Sequence, residues 1–217
     1  MSVLLAFFLA ASVHAQAASF NDWEKVDGEV GLSIFEKKEG DLLAFRTEGV
    51  VDAPLRDVAG AILDYEHTTE WVDHLEEERI LSRPSPGQFV EYTHVGTPFV
   101  LKDRDFVCLV TVKVNEKEKT VSIESHSVDD PQAPSTKFVR GRVVHNEFVL
   151  APDGTGKTRL TGEFHIDPKG SVPKWIVNLF QRAWPKKAFH AIQARVASVK
   201  PQVPAALEGV LAPIAKF

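Results

Sequence analysis

The stretch GEFHI sets Glu163 and His165 two residues apart, and VVHNEF sets His145 and Glu147 at the same spacing. In a strand, that spacing puts both side chains of a pair on one face, roughly 7 Å apart along the backbone. A carboxyl and an imidazole facing into a pocket could move a proton in a dehydration, a cyclisation or a hydrolysis. Alternating charges on a solvated strand face give the same pattern, and that outward placement is the expectation here. The four residues lack the His-Glu-x-x-His helical spacing that holds zinc, so no metal site and no cofactor are expected. The run GTGK at 154–157 lacks the full phosphate-loop spacing and has no helix after it, which makes it a hairpin turn.

A denser charge pattern, Asp103-Arg104-Asp105, opens an apolar strand. Buried charge must be paired or solvated, so an inward Arg104 would suit the polar headgroup of a ligand, while an ion-paired strand entrance is the competing reading. Arg140 and Arg142 share a face with Phe138 and Val144; one of them could reach inside, although solvated positions are expected. Cys108 is the only cysteine. A single thiol excludes an internal disulfide and any metal centre built from several thiolates, leaving the role of a buried small apolar residue.

These residues are carried on 217, of which 44% are hydrophobic and 25% charged, enough for one globular domain with a substantial core. The net charge of -5 comes with dispersed basic residues, which argues against a nucleic-acid partner. The opening stretch MSVLLAFFLAASVHAQAA is an apolar run followed by small residues, with Ala15-Gln16-Ala17 as a cleavage pattern, and reads as a signal peptide over residues 1–18. No Lys or Arg precedes the run, and it is shorter than the about 20 residues a membrane span needs. A periplasmic or secreted protein is expected, with a domain over 19–200 and a C-terminal tail over 201–217.

The elements follow from periodicity. Phe20, Trp23 and Val26 recur every three residues, which predicts a short helix docked on something larger. Two strands with a turn at Glu39-Gly40-Asp41 come next, then a helix over 54–63 with Pro54 near its first turn. From about residue 74 six apolar-alternating runs are separated by the turn clusters PSPG, VNEKEK, DDPQAPS and PDGTG, and such short connections imply antiparallel neighbours. In FVCLVTVKV the set Phe106, Cys108, Val110, Val112 and Val114 is wholly apolar, giving one dry face. The last long helix starts near Ser171 to Pro173 and runs to about Ser198. Its apolar stripe is Ile176, Leu179, Phe180, Ala183, Phe189, Ile192 and Val196. Pro185 removes an N–H and crowds the carbonyl of Gln181, which predicts a bend. The tail holds a short helix near 205–211 or is loosely attached. A sheet of about eight strands curls; if it curls around the last helix, the space between them need not fill, and a cavity survives. Trp175 and Trp184 would line that cavity or its mouth, or pack in the core.

Asp64, the Glu70-Trp71 pair, DRDFV at 103–107 and above all DPKGSVPKWIVN at 167–178 resemble the START family, the steroidogenic-acute-regulatory-related lipid transfer domains. The resemblance covers roughly residues 20–200. It implies an α+β helix-grip (START/Bet v 1-like) fold: a curled antiparallel sheet around a long C-terminal helix, over an apolar tunnel that takes one sterol, hopanoid, phospholipid or comparable molecule. The expected function is therefore non-catalytic binding and transfer of a single lipid by a monomer that touches a membrane surface transiently. The expected ligand-binding residues are Phe106, Val110 and Val112 on the central strand, Ile176, Leu179, Phe180 and Ala183 on the helix, and Arg104 for the headgroup. The alternatives are an enzyme of the cyclase or hydrolase type on the same scaffold, which would need Glu163 and His165 pointing inward, and an interaction module with a filled core.

Overall fold

A computed structural model describes residues 22–97, 101–172 and 174–217, without the side chains of residues 174–181. The signal-peptide pattern of residues 1–18 lies outside the described residues. Three antiparallel strands come first: β1 (Glu24–Glu29), β2 (Leu32–Glu39) and β3 (Leu42–Val51). Gly40 makes the β2–β3 turn at φ 63°, a left-handed position that a Cβ would strain. The helix expected around Trp23 and Val26 is instead β1. Six residues are too few to hold a helix against an open sheet edge that offers a full ladder of backbone bonds. β1 pairs with β2 through a bulge between Lys25 and Asp27, and Val26 is left exposed. Trp23 has Arg46 Cζ 4.5 Å from its ring centre.

Helix α1 (Leu55–Leu63) follows with Pro54 at its N-cap, and buries six of its nine residues. A 3-10 turn (Thr68–Glu70) then leads into β4 (Leu75–Ser85), β5 (Gln88–Val95), β6 (Arg104–Asn115), β7 (Thr120–Ser127), β8 (Val139–Arg140), β9 (Arg142–Pro152) and β10 (Thr158–Asp167). Among the described residues these ten strands form one sheet, ordered β1-β2-β3-β10-β9-β7-β6-β5-β4. The pairings are antiparallel apart from the short β8, which runs parallel to the start of β6. The long step in this order joins β3 to β10, so the first hairpin and the last strand meet at the middle of the sheet.

Helix α2 (Lys174–Ser198) runs without interruption through Pro185. Phe189 and Ile192 are buried against the sheet side. Gly49 on β3 makes this possible: a Cβ there would sit 2.5 Å from the Phe189 ring, so only glycine lets the ring lie on the backbone. The segment after α2, read from sequence as a tail, packs into the same core. It forms two 3-10 turns (Ala205–Leu207 and Ala212–Lys216) around α3 (Glu208–Leu211). Val203, Leu207, Leu211 and Ile214 are buried in one cluster with Val58 of α1, Val112 of β6 and Leu150 of β9. The α+β helix-grip architecture is the one the sequence implies.

Candidate functional site

Between the sheet and α2 lies a cavity of about 500 Å³, within the range of small-molecule sites. Residues of β4, β5, β6, β9, β10 and α2 line it together, which a flat sheet could not arrange; the sheet is concave toward the helix. On β6 the inward set is Arg104, Phe106, Cys108 and Val110. On β10 it is Phe164 and Ile166. A bulge in the β9–β10 pairing after His165 turns both Val143 and Asn146 inward and sends Val144 and His145 out. Trp184 closes the wall from α2, edge-on to Phe164 at 4.6 Å, and Phe164 is in turn edge-on to Phe148 at 5.4 Å.

Arg104 is buried at 7% exposure. Its Nε donates to the carbonyl of Pro168 and its Nη2 to that of Lys169, both at 3.3 Å, and Nη1 donates to the carbonyl of Lys102. Burial lowers its pKa. Two of its five N–H groups thus tie the start of β6 to the β10–α2 connection, a third bonds the chain just before β6, and the remainder is what a ligand could use. Its neighbours face the other way. Asp105 is fully buried and accepts from Arg140 Nε at 2.8 Å and Nη2 at 3.0 Å, and from Thr136 Oγ1 at 2.7 Å. Burial alone would raise the Asp105 carboxyl; the Arg140 and Thr136 hydrogen bonds outweigh it and hold the group below the usual range. Asp103 accepts from the Thr97 N–H at 2.9 Å and meets His94 Nε2 at 3.0 Å, and these hold it low as well.

The cavity also has a polar wall that the sequence reading missed. Glu78 on β4 and Glu91 on β5 both line it, and each carboxyl influences the ionisation of the other. Glu78 Oε2 accepts from Thr68 Oγ1. Burial is the main cause that raises both carboxyls, and Glu91, with Glu78 beside it, stands well above the ordinary range. The surface the two carboxyls retain faces the cavity. Two further polar atoms are buried without a hydrogen-bond partner on lining residues, Trp71 Nε1 and Asn146 Oδ1. The Cys108 thiol, also facing inward, is pushed up to about 12 by burial and is inert as a nucleophile.

The expected site residues are distributed as follows. Phe106, Val110 and Arg104 line the cavity, and Ala183 does so at its rim while exposed to solvent. Val112 is buried in the core with Leu211 rather than in the cavity wall. Ile176, Leu179 and Phe180 belong to α2, but their side chains lie outside the described residues. The helix residues that do line it, Trp184, Ala188 and Ile192 among them, recur one turn apart. Glu163 and His165 point away from the cavity: Glu163 pairs with Arg46 at 2.6 Å and His165 Nδ1 meets Glu39 at 3.1 Å. His145 and Glu147 are 3.8 Å apart on that outer face. The signal for Glu91 was present, since it shares strand parity with Phe89. It was masked because Val90 and Tyr92 of the opposite parity are buried too, under a second small cluster with Val107.

A sheet gripping a long C-terminal helix over an apolar cavity defines a helix-grip binding fold. The chain is a member of the START domain family, whose model matches residues 8–200. The phosphatidylcholine transfer protein of Bos taurus is 26% identical over 175 residues, covering 77% of this chain and 81% of that protein. Among solved structures, human StAR-related lipid transfer protein 5 superposes with a TM-score of 0.75 at 24% identity, over 82% of this chain and 87% of that one. The STAR-related lipid transfer protein of Xanthomonas axonopodis gives 0.72 at 20% identity, over 82% of this chain and all of that one.

Proposed function

We propose that this protein binds one hydrophobic lipid between the sheet and α2 and carries it between membranes or sequesters it, without catalysing a reaction on it. The observation that carries this reading is the mostly apolar cavity between the sheet and α2, from which both His/Glu pairs are turned away. Each methylene moved into such a space gains about 0.8 kcal/mol, so a chain of about a dozen gains on the order of 10 kcal/mol before ordering costs. That is sufficient for tight binding with no covalent chemistry. Family membership and relatives described as lipid transfer proteins support the same reading, with a sterol, a hopanoid or a phospholipid as the ligand. The pattern at residues 1–18 supports export, which makes the proposed setting the periplasm or the exterior, and the protein would act as a monomer that meets a membrane briefly.

The test is transfer between vesicles. Purified protein should move a fluorescent lipid from donor to acceptor vesicles with one lipid per chain. A protein that accelerates no transfer and retains no lipid after gel filtration would contradict the proposal. Export is checked separately: fractionation should find a mature chain lacking the first 18 or so residues, and a full-length cytoplasmic chain would oppose it.

A further inference from the structure

One wall of the cavity is built of aromatic rings. Phe45 of β3, Phe148 of β9, Phe164 of β10 and Trp184 of α2 all line it. Phe45 and Phe164 are register partners on neighbouring strands, and both are buried. The rings of Phe148 and Phe164 lie against β10 at Gly162, where a Cβ would stand 2.8 Å from Phe164 Cζ and 3.3 Å from Phe148 Cε1. The glycine lets both rings sit on the strand itself, so neither has room to retreat. Trp184 completes the wall from the helix through its edge-on contact with Phe164. Elsewhere the cavity stops at Leu63, Ile123 and Ile192, which belong to the main core cluster, and a close-packed core has no slack to lend.

These walls fix how much hydrocarbon the space can take. A methylene occupies about as much room as a water molecule, ~30 Å³, so a cavity of about 500 Å³ is full at about 16 of them. The two tails of a common diacyl phospholipid carry about 34 carbons and need ~1,000 Å³. That is twice the space there is. Transfer starts from a membrane, where both tails are already dry. A methylene that passes from bilayer to cavity gains nothing, whereas one that finds no room is driven into water, at about a fourfold loss of affinity. A whole tail left outside therefore outweighs what a headgroup contact returns.

Resting on the lipid-binding reading above, we propose that the cavity is a size filter: it accepts a lipid with one hydrocarbon body, a single acyl chain or a ring skeleton of the same bulk, and rejects two-chain phospholipids. Trp184 sets the limit, because it hangs from α2 whereas the three phenylalanines rest on the sheet.

The test is a choice offered to the delipidated full chain by vesicles of dioleoylphosphatidylcholine doped with lysophosphatidylcholines about 12 to 22 carbons long. Native mass spectrometry reads which lipid each chain keeps. One lysolipid per chain is expected, with occupancy level up to about 16 carbons and falling about fourfold for each further methylene, and no diacyl lipid. Vesicles doped with cholesterol instead distinguish a ring skeleton from a chain as the body preferred. W184A opens on the order of 100 Å³ and should move the fall outward by about three carbons. Ala188 lines the cavity one turn further along α2, and A188L, which adds about three carbons to the lining, should move the fall inward by as much. Short lysolipids kept by both variants show that they are folded. Dioleoylphosphatidylcholine held at one per parent chain, or a fall that neither variant moves, would overturn the size filter alone. A parent chain that keeps none of these lipids would overturn the lipid-binding reading with it.

Discussion

Arg140 decides whether the buried charge at the start of β6 is tolerable. Asp105 has no exposed side-chain surface and depends on the two-pronged guanidinium contact. Arg140→Ala strands that carboxylate, and breaking such a pair costs about 3 kcal/mol or more. The folded Asp105 is depressed, so its contribution is present above the unfolded value of about 3.9 and is lost as pH falls through the lower folded value. The deficit of Arg140→Ala, measured as a urea midpoint, should therefore be large at neutral pH and shrink at pH values below that window. Glu91 has the opposite sign. Its folded value is raised, so its favourable contribution is complete below about 4.3 and is lost as pH rises through the folded value. Glu91→Gln should gain stability relative to the parent between acid and mildly alkaline pH; a constant difference would show that the carboxyl titrates normally. At this scale the sequence was half legible. The outward placement of Glu163 and His165 followed from alternating charge, and the dry set Phe106, Cys108 and Val110 from alternating apolarity. Glu78 and Glu91 were hidden because β5 is buried on both faces near its middle, where parity no longer tells inside from outside.

Among the elements, α2 was legible from its stripe, and β2 to β7 and β10 from alternation and turn chemistry, while β8 and β9 read as one run that breaks at Gly141. The first segment was not, because the choice between helix and strand there depends on the open edge of β2, which no local pattern reveals. The C-terminal segment illustrates the same limit. The sequence left a short helix near 205–211 and loose attachment both open; the helical turns form there, and the burial of Val203, Leu207, Leu211 and Ile214 is decided by partners on α1, β6 and β9. At about 1.5–3 kcal/mol for each side chain, those four contribute on the order of 8 kcal/mol, comparable with the whole stability of a domain. Deletion of residues 201–217 should leave a chain without a cooperative thermal transition, and Leu211→Ala alone should cost about 3 kcal/mol.

The same helix that covers the cavity is fastened by charges at its surface. Arg182 holds Glu36 on β2 at 2.9 Å, His190 meets Glu29 at 3.0 Å, and Lys187 meets Asp73 across the rim. Arg195 bonds Asp64 and Glu70, each at 3.2 Å. Apart from Arg195–Asp64, whose side chains are mostly buried, these pairs are exposed, weak and screened by salt. Within the helix, Pro185 is buried on the cavity side and leaves the carbonyl of Gln181 without its usual amide donor. Ligand release followed by fluorescence should quicken as salt is raised to about 0.5 M, and Pro185→Ala should slow it. Rates indifferent to both changes would mean that ligand exchange does not require α2 to lift.

For the whole molecule, the antiparallel pairing could be anticipated, but about eight strands were expected where ten form among the described residues, and their order could not be read. The β3–β10 pairing joins segments more than 100 residues apart, and it brings Phe45 of β3 and Phe164 of β10 to the wall of the same space under α2. A side chain grown into that space should abolish binding without unfolding the protein. Val110→Trp at the cavity wall is the variant to make, with an unchanged fold by circular dichroism and no retained lipid as the expected outcome. The most direct measurement is native mass spectrometry of the protein purified under mild conditions, before and after incubation with lipid vesicles. The expected spectrum shows one hydrophobic molecule per chain, removed by organic extraction and restored by the vesicles. A spectrum showing only the bare chain in both samples would contradict the account.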